Sequence, residues 1–537
     1  MKTSTKLLLS VSAGIMLSLS WPAIGEISPL IFISLVPILL LEREAAQQKT
    51  PGKNRLFPYI YLSFLIFNLI TTWWIWFASP FGAVMAIILN ALFPAVLFQM
   101  VRFTRKQLGN ATANFSMIVF ILGWEYFHMD WDLSWPWLTL GNSFANYTSW
   151  IQWYEYTGVQ GGSLWILLTN LIATEILIIY RAEKGISKRK VSLFVSVVVV
   201  PVLISLMIKS TYEESKDPVE VVVVQPNIDP YNGKFSGISS KDQVLSILEL
   251  AGQKVTPETQ YVIAPETAIP DAFDEEQYGN TEESKVIDRF LMLHPQTDLL
   301  IGASTFMIYP DGKNKSQTAR LARDNRTWYD NCNTAVYLSG KNNPKYYHKS
   351  KLVPGVEMMP FPAVFRSFQE FAFDLGGTTG SLARQEERSV FGDQKRIAPV
   401  ICYESIYGEF VGDYIRKGAG IIFIITNDGW WRDTPGYKQH LAYARLRAIE
   451  HRKSIARSAN TGISCFIDQT GEISQATSWW ESDVIRGALN YNPQPTFYTT
   501  FGDYLGRSSL WVGILLIIYA ISRKIIRKPI PSGKNQD

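Results

Sequence analysis

The chain has 537 residues, of which 47% are apolar and 18% charged, with 17 Trp and a formal net charge of +4. The high apolar and low charged content excludes a disordered or fibrous chain. The charges are unevenly spread: 24 of the 98 Asp, Glu, Lys and Arg fall in the first 210 residues and 74 in the other 327, so the mean hydropathy of +0.04 hides a membrane-like part before a soluble-like one and excludes a purely cytosolic enzyme. Eleven of the 17 Trp also precede residue 211, as expected for rings that sit at bilayer interfaces.

Apolar runs near the roughly 20 residues that cross hydrocarbon are read at 7–25, 28–41, 58–78, 82–101, 115–137, 163–180 and 191–209, with an eighth at 508–526. Pro22, Pro29 and Pro37 interrupt the first pair, which also reads as a single broken unit. A cleaved signal peptide is the rival reading of the first run, and the six spans that follow favour an anchor helix. Lys2 and Lys6, the 43–55 and 102–106 loops, 181–190 and the tail from Arg523 hold the Lys and Arg, while the short loops near 26, 80 and 138–160 hold none. Because basic residues stay on the cytoplasmic side, the expected topology has eight spans, both termini inside and residues 210–507 outside the cytoplasm. This bias also explains the positive net charge without nucleic acid. Asn68, Asn90, Glu125, Asn170 and Glu175 inside the spans allow a transport reading, but such groups also serve as plain interhelical hydrogen-bonding residues, and no internal repeat is visible.

From Val219 the pattern becomes short β-branched runs: 219–224, 261–264, 299–303, 334–338, 396–402, 420–426, 463–467 and 484–489. Several are apolar on both faces, as strands covered by helices are; helical patterns lie at 241–251, 282–293 and 438–453. This predicts one α/β domain with its core at 219–490, behind a Glu-, Ser- and Lys-rich linker at 211–218 that lifts it off the membrane. The domains expected are therefore 1–210 in the membrane, 211–507 outside it, and 508–537 as a last helix with a basic tail.

Three residues mark possible chemistry. Glu266 follows an apolar strand and reads alone equally well as a cap or surface turn; Cys402 ends another strand and alone reads as a small buried hydrophobe; Lys349 alone reads as part of a solvated loop. Together they supply a base, a nucleophile and a cation for the thiolate and the developing oxyanion. A Cys-His hydrolase using Cys402 with His440 or His348 is the competing constellation.

The strings Pro265-Glu266-Thr267-Ala268, Tyr347-His348-Lys349-Ser350-Lys351-Leu352-Val353-Pro354, Cys402-Tyr403-Glu404, Thr426-Asn427-Asp428-Gly429-Trp430-Trp431 and Arg445-Leu446-Arg447-Ala448-Ile449-Glu450, with Arg457 and Asn460-Thr461-Gly462 downstream, resemble the carbon-nitrogen hydrolase, or nitrilase, superfamily. With seven spans before the domain and one after, the chain is similar to the membrane-embedded acyltransferases of that superfamily. The resemblance implies an α-β-β-α sandwich with Glu266 as general base, Cys402 as nucleophile and Lys349 as stabiliser of the tetrahedral intermediate. It also implies supporting roles for Glu357, Tyr403 and Glu404. The implied reaction is ping-pong: a phospholipid acylates the thiol, and the N-terminal amine of a diacylglyceryl-cysteine on a lipoprotein accepts the chain, in a bacterial inner membrane with the domain on the periplasmic side. Gly355-Val356 replaces the family's usual Phe-Gly, Pro226 stands where Gly is usual, and Phe235 stands about where a functional Trp is expected. These departures bear on lipid selectivity and loop geometry.

Residues 356–375, with Met358, Met359, Phe361, Val364, Phe365, Phe368, Phe371 and Phe373, are too apolar for an ordinary loop and read either as a lid at the lipid surface or as a core helix. In an oxidising compartment at least one of Cys332, Cys402 and Cys465 stays unpaired, and catalysis requires that it be Cys402. No metal-ligand spacing or phosphate-binding glycine loop is apparent, so no cofactor or metal is expected. Two alternatives stand beside the acyltransferase: a membrane-anchored amidase or nitrilase-type hydrolase, and a catalytically silent scaffold.

Overall fold

The computed structural model describes residues 1–47, 56–234, 237–310, 312, 314–340, 342–361 and 381–526. Phe235, the segment from 362 to 380 that holds most of the expected lid, and the basic tail from Arg527 lie outside the described residues.

The first part is helical: α1 (Thr3–Leu19), α2 (Ile31–Ser34), α3 (Val36–Gln47), α4 (Leu56–Thr72), α5 (Ile75–Ala78), α6 (Pro80–Leu108), α7 (Asn110–Phe127), α8 (Tyr154–Glu183) and α9 (Lys188–Thr211). The first pair of runs is two separate segments and not one broken unit: α1 is continuous to Leu19, and the second run is itself interrupted at Leu35, between α2 and α3. Its interruption frees backbone groups that lipid cannot satisfy, and Asn170 takes them, accepting from Leu35 N and donating to Ile31 O, both at 2.8 Å. Three of the other polar groups read inside the spans also link elements: Glu125 accepts from Leu140 N at 2.8 Å, Asn90 meets His128 at 2.9 Å, and Glu175 pairs with Arg43 and Lys190, whereas Asn68 donates within its own helix to Phe64 O at 2.8 Å.

The fifth run differs from its expected extent. α7 stops at Phe127, and residues 136–150 form short 3₁₀ turns in which Trp137, Phe144 and Ala145 are fully buried. This stretch is apolar because protein covers it, Trp137 packing on Trp431 and Tyr443 of the α/β part and Phe144 on Phe32 and Trp165 of the helices, a distinction that hydropathy cannot make.

The second part builds two sheets. The first holds β1 (Pro218–Gln225), β2 (Thr259–Ile263), β3 (Ile269–Asp274), β4 (Asp298–Tyr309), β5 (Arg320–Leu321), β6 (Trp328–Ser339), β7 (Asn342–His348) and, returning from the far end of the domain, β13 (Asp483–Asn490). Its order is β13-β1-β2-β4-β6-β5, with β3 also on β4 and β7 on β6. The second holds β8 (Ile397–Ile401), β9 (Ile421–Thr426), β10 (Ser454–Ala459), β11 (Cys465–Ile467) and β12 (Ile473–Ser474), in the order β12-β11-β10-β9-β8. Strand alternation sends Val222 and Val224 toward α10 (Ser240–Gly252) and α11 (Glu282–Leu293), and Val221 and Val223 toward the second sheet. The outer face of the second sheet is covered by α12 (Gly408–Arg416) and α13 (Pro435–His451), giving the four expected layers. A short α14 (Phe497–Phe501) leads into α15 (Tyr504–Ile526). Among the described residues, α6, α8, α9 and α15 are long and apolar enough to cross a membrane; α1 and α4 are apolar but span 17 residues each.

The 211–218 stretch is no spacer. Glu214 accepts from Gln469 N and Asn490 Nδ2, both at 2.7 Å, and Asp217 pairs with Lys395, so this stretch is fastened along the domain. The domain in turn is docked on the helices through α13, nearly every residue of which is buried. Its inner face packs on the second sheet. On the other face Gln439 accepts from Trp137 Nε1 at 2.7 Å and donates to the carbonyls of Pro22 and Thr71, while Tyr443 joins Trp21 to the Trp137 carbonyl.

Candidate active site

Each expected catalytic residue stands at the end of a strand. Cys402 follows β8, which is buried on both faces, and its backbone has a φ of +49°, a strained setting for a residue with a side chain. Glu404 holds that turn. One of its oxygens accepts from Ile401 N at 2.9 Å, and the other accepts from Tyr347 OH at 2.6 Å and Ser350 N at 2.7 Å, so the Cys402 turn is tied to the strand end that carries Lys349. Glu266 follows β2, and Gly302 of β4 lets it come close: a Cβ at Gly302 would sit 2.6 Å from Glu266 Cα and from the Pro265 carbonyl oxygen.

Lys349 Nζ donates to Glu266 Oε1 at 3.0 Å and to Glu357 Oε1 at 2.8 Å, and all three side chains are buried or nearly so. Asn333 Nδ2 donates to the same two carboxylates at 2.8 and 3.1 Å, and Asn427 N donates to Glu266 Oε2 at 3.1 Å. Gly355 takes a φ of +77° and its N–H donates to Met358 O at 2.7 Å; this tight turn, made by the residues that replace the usual Phe-Gly, returns Glu357 to Lys349.

Burial alone would push the Glu266 carboxyl up, but Lys349 and the Asn333 hydrogen bond outweigh it and hold it below the ordinary carboxylate value. Burial likewise works against the Lys349 ammonium, and Glu266 and Glu357 reverse the balance, keeping it charged. Burial, then the charge of Glu266, push the Cys402 thiol well up, with Lys349 pulling the other way. The resting site thus holds a neutral thiol together with an ionised carboxylate and a cation, the set of groups that base-assisted nucleophilic chemistry uses.

The Cys-His reading finds no thiol contact. His440 Nε2 meets the backbone carbonyl of Cys402 at 3.1 Å and Ser405 Oγ at 2.9 Å, and its Nδ1 faces Asp428 at 3.0 Å; His348 faces Glu275 on the other side of β7. Asp428 also accepts from Arg457 at 2.5 Å, so an ion-paired cluster buried to 0% exposure supports the Cys402 turn from behind. Tyr403 points away from the carboxylates, donating to the Ser134 carbonyl at 2.8 Å and stacking on Trp135.

Two contributors were not legible in advance. Asn333 is one polar residue in an alternating strand, a setting without any distinguishing mark. Lys234, 2% exposed, donates to the Glu266 carbonyl at 2.8 Å, and burial pushes its ammonium down to about 8 against the pull of Glu266. All three cysteines are buried and free, so Cys332 and Cys465 do not pair.

A cavity of about 310 Å³ opens on Cys402, and its lining is almost wholly apolar. On the domain side it is walled by Tyr403, Trp431 and Met359, and on the helix side by Trp74, Met85 and Phe93.

An apolipoprotein N-acyltransferase N-terminal domain model matches residues 13–172, and a carbon-nitrogen hydrolase model matches 221–492. The apolipoprotein N-acyltransferase of Chlorobaculum tepidum is 31% identical, with 96% of this chain and 97% of that protein covered. The chain belongs to the apolipoprotein N-acyltransferase family. The family member from Geobacter metallireducens is 27% identical over 97% of this chain and 96% of its own length. Among solved structures, Saccharomyces cerevisiae Nit3 of the nitrilase superfamily is similar, with a TM-score of 0.35 and 14% identity over 52% of this chain and 93% of that one.

Proposed function

We propose that the protein transfers a fatty acyl chain from a phospholipid, through a Cys402 thioester, to the N-terminal amine of a diacylglyceryl-cysteine on an apolipoprotein. The observation that carries this reading is the apolar cavity that runs from Cys402 to Phe93 of α6: a thiol at the end of a channel walled by membrane-type helices suits an acyl chain.

Cys402 Sγ attacks the donor's ester carbonyl while Glu266 takes the thiol proton. Glu266 and Glu357 occupy two of the three N–H groups of Lys349, and the third is left for the oxyanion. Collapse expels the lysophospholipid alkoxide, which takes the proton from Glu266. The acceptor amine then attacks the thioester, Glu266 takes its proton and returns it to the departing sulfur, and an amide is released. The apolar walls keep water from the thioester. By this reading Glu357 holds the Lys349 ammonium, Glu404 holds the nucleophile's turn and Tyr403 forms the cavity wall. No cofactor takes part.

The same reading has eight spans in a bacterial inner membrane, counting α1, the broken α2–α3 unit and α4 with the longer helices. Residues 1–210 form the membrane domain, 211–507 the periplasmic catalytic domain, and 508–537 the last span and a cytoplasmic tail. Its support is the clustering of Lys2, Lys6, Arg105, Lys106, Arg181, Lys188, Arg523 and Lys524 at the helix ends away from the α/β part.

Intact-mass spectrometry of the full chain mixed with phospholipid tests the chemistry. The expected result is an acyl adduct on the wild type, absent from Cys402→Ala and discharged onto the amine of an added diacylated lipopeptide. Cys402-dependent hydrolysis of small amides with no adduct from any lipid would replace this reading with the anchored amidase.

A further inference from the structure

The strands that carry Asn333 and Lys349 hold a second set of reactive side chains on their other face. In the sheet register Thr305 of β4 lies opposite Cys332 of β6, and Thr334 of β6 lies opposite His348 of β7. Alternation therefore puts Thr305, Cys332, Thr334 and His348 on one face, and Asn333 and Lys349 on the reverse. Glu275, the first residue after β3, closes the group: its Oε1 lies 2.7 Å from His348 Nε2 and accepts from Thr305 Oγ1 at 2.7 Å. The ligand atoms of Glu275, Cys332 and His348 all lie within 4.8 Å of one another. These residues are 57 and 16 positions apart in sequence, which is why no spacing motif announced them.

The surroundings favour a cation. Asp330, on the same face of β6 and 0% exposed, is met by the hydroxyls of Tyr309, Ser316 and Thr318, and no Lys or Arg pairs with it or with Glu275 among the described residues. The side chains of His348 and Glu275 retain 14% and 13% exposure, so an ion can enter from solvent.

We propose that Glu275, Cys332 and His348 bind a zinc-class divalent ion, with a water or the Thr305 hydroxyl in the fourth position. One sulfur, one imidazole nitrogen and one carboxylate oxygen form a mixed donor set that a borderline-soft ion accepts and that Ca²⁺ or Mg²⁺ does not. On binding, the Cys332 S–H bond gives up its proton to solvent as the sulfur–metal bond forms, and His348 donates its Nε2 lone pair as a neutral imidazole. The ion joins the end of β3 to β6 and β7 directly behind Asn333 and Lys349. That consequence for catalysis rests on the function proposed above, whereas the binding itself does not.

The test uses the full chain in detergent, stripped of metal, with Co²⁺ as the optical probe and Zn²⁺ for equilibrium dialysis. One Co²⁺ per chain with a near-ultraviolet thiolate-to-cobalt band is expected, together with a Zn²⁺-dependent rise in unfolding temperature. Cys332→Ser should abolish the band and the rise, and His348→Gln should weaken Zn²⁺ binding at least tenfold. Cys402→Ser and Cys465→Ser should leave the band in place. A band that survives Cys332→Ser, or binding that none of the variants alters, would overturn the site. Should Cys332→Ser fail to fold, Glu275→Gln decides by the same readouts.

Discussion

Asn333 occupies a position whose chemistry is all in its surroundings. Its amide is one of the groups that keep the Glu266 carboxyl below its ordinary value, after burial has pushed the other way and Lys349 has pulled it down. A base must be ionised to take the thiol proton, so the rate of Cys402 acylation falls as pH drops through the folded-state value of Glu266. The wild-type acid limb is therefore expected below the ordinary glutamate value. Asn333→Leu removes a hydrogen bond to the charged form, which raises that value and shifts the limb to higher pH. A pH profile of adduct formation by mass spectrometry checks this, and an unmoved limb in the variant would contradict the assignment of Glu266 as base. Glu266→Gln should cost about 10²–10⁴-fold at any pH, the usual share of a general base. The contrast between these residues shows what was legible. Glu266, Lys349 and Cys402 sit in strings that resemble a family, whereas Asn333 and Lys234 act through contacts that only folding creates.

The strand ends are where local sequence becomes geometry. β8 and β9 were plain in the chain because runs such as Ile421–Thr426 are buried on both faces and read as continuous apolar segments. β7 was hidden because Asn342-Asn343-Pro344-Lys345 opens it with polar residues and a proline at the sheet edge, and β10 because Ser454, Arg457 and Ser458 are polar yet buried. The fifth apolar run overshot for the converse reason, since Pro136 and Trp137 at its end are buried within protein. Where β4 runs beside the turn that follows β2, Gly302→Ala would place a methyl 2.6 Å from the Glu266 backbone, with backbone rather than a flexible side chain in its way. We expect a loss of about 1–3 kcal/mol in stability, typical of overpacking, together with more than tenfold slower acylation as Glu266 is pushed off Lys349. Denaturation and single-turnover acylation measure the two effects, and unaltered acylation would show that the close approach is incidental.

At the scale of the whole molecule, α13 makes the two parts one object. Its buried polar residues have partners on both sides: Gln439 and Tyr443 reach the helices, Glu450 accepts from Val159 N at 2.9 Å, and Arg447 donates to the Ile406 carbonyl at 2.6 Å. Gln439→Leu would leave Trp137 Nε1 and the Pro22 carbonyl without their partner, at about 1–3 kcal/mol for each buried group orphaned, whereas the Thr71 carbonyl keeps the Trp74 indole at 3.0 Å. Thermal unfolding in detergent should show one transition moved down as a unit. Two transitions, only one of them moved, would mean that the parts are separately stable. The pairing of β1 with β13 has a consequence for synthesis. Val219 lies opposite Leu489, its partner about 270 residues later in the chain, and ribosomes add roughly 5–20 residues per second. One edge of a strand as apolar as Val-Glu-Val-Val-Val-Val thus waits for tens of seconds before the strand that closes it exists. During that interval the nascent chain presents an open β-template, and its survival depends on what shields that edge until the last strand emerges.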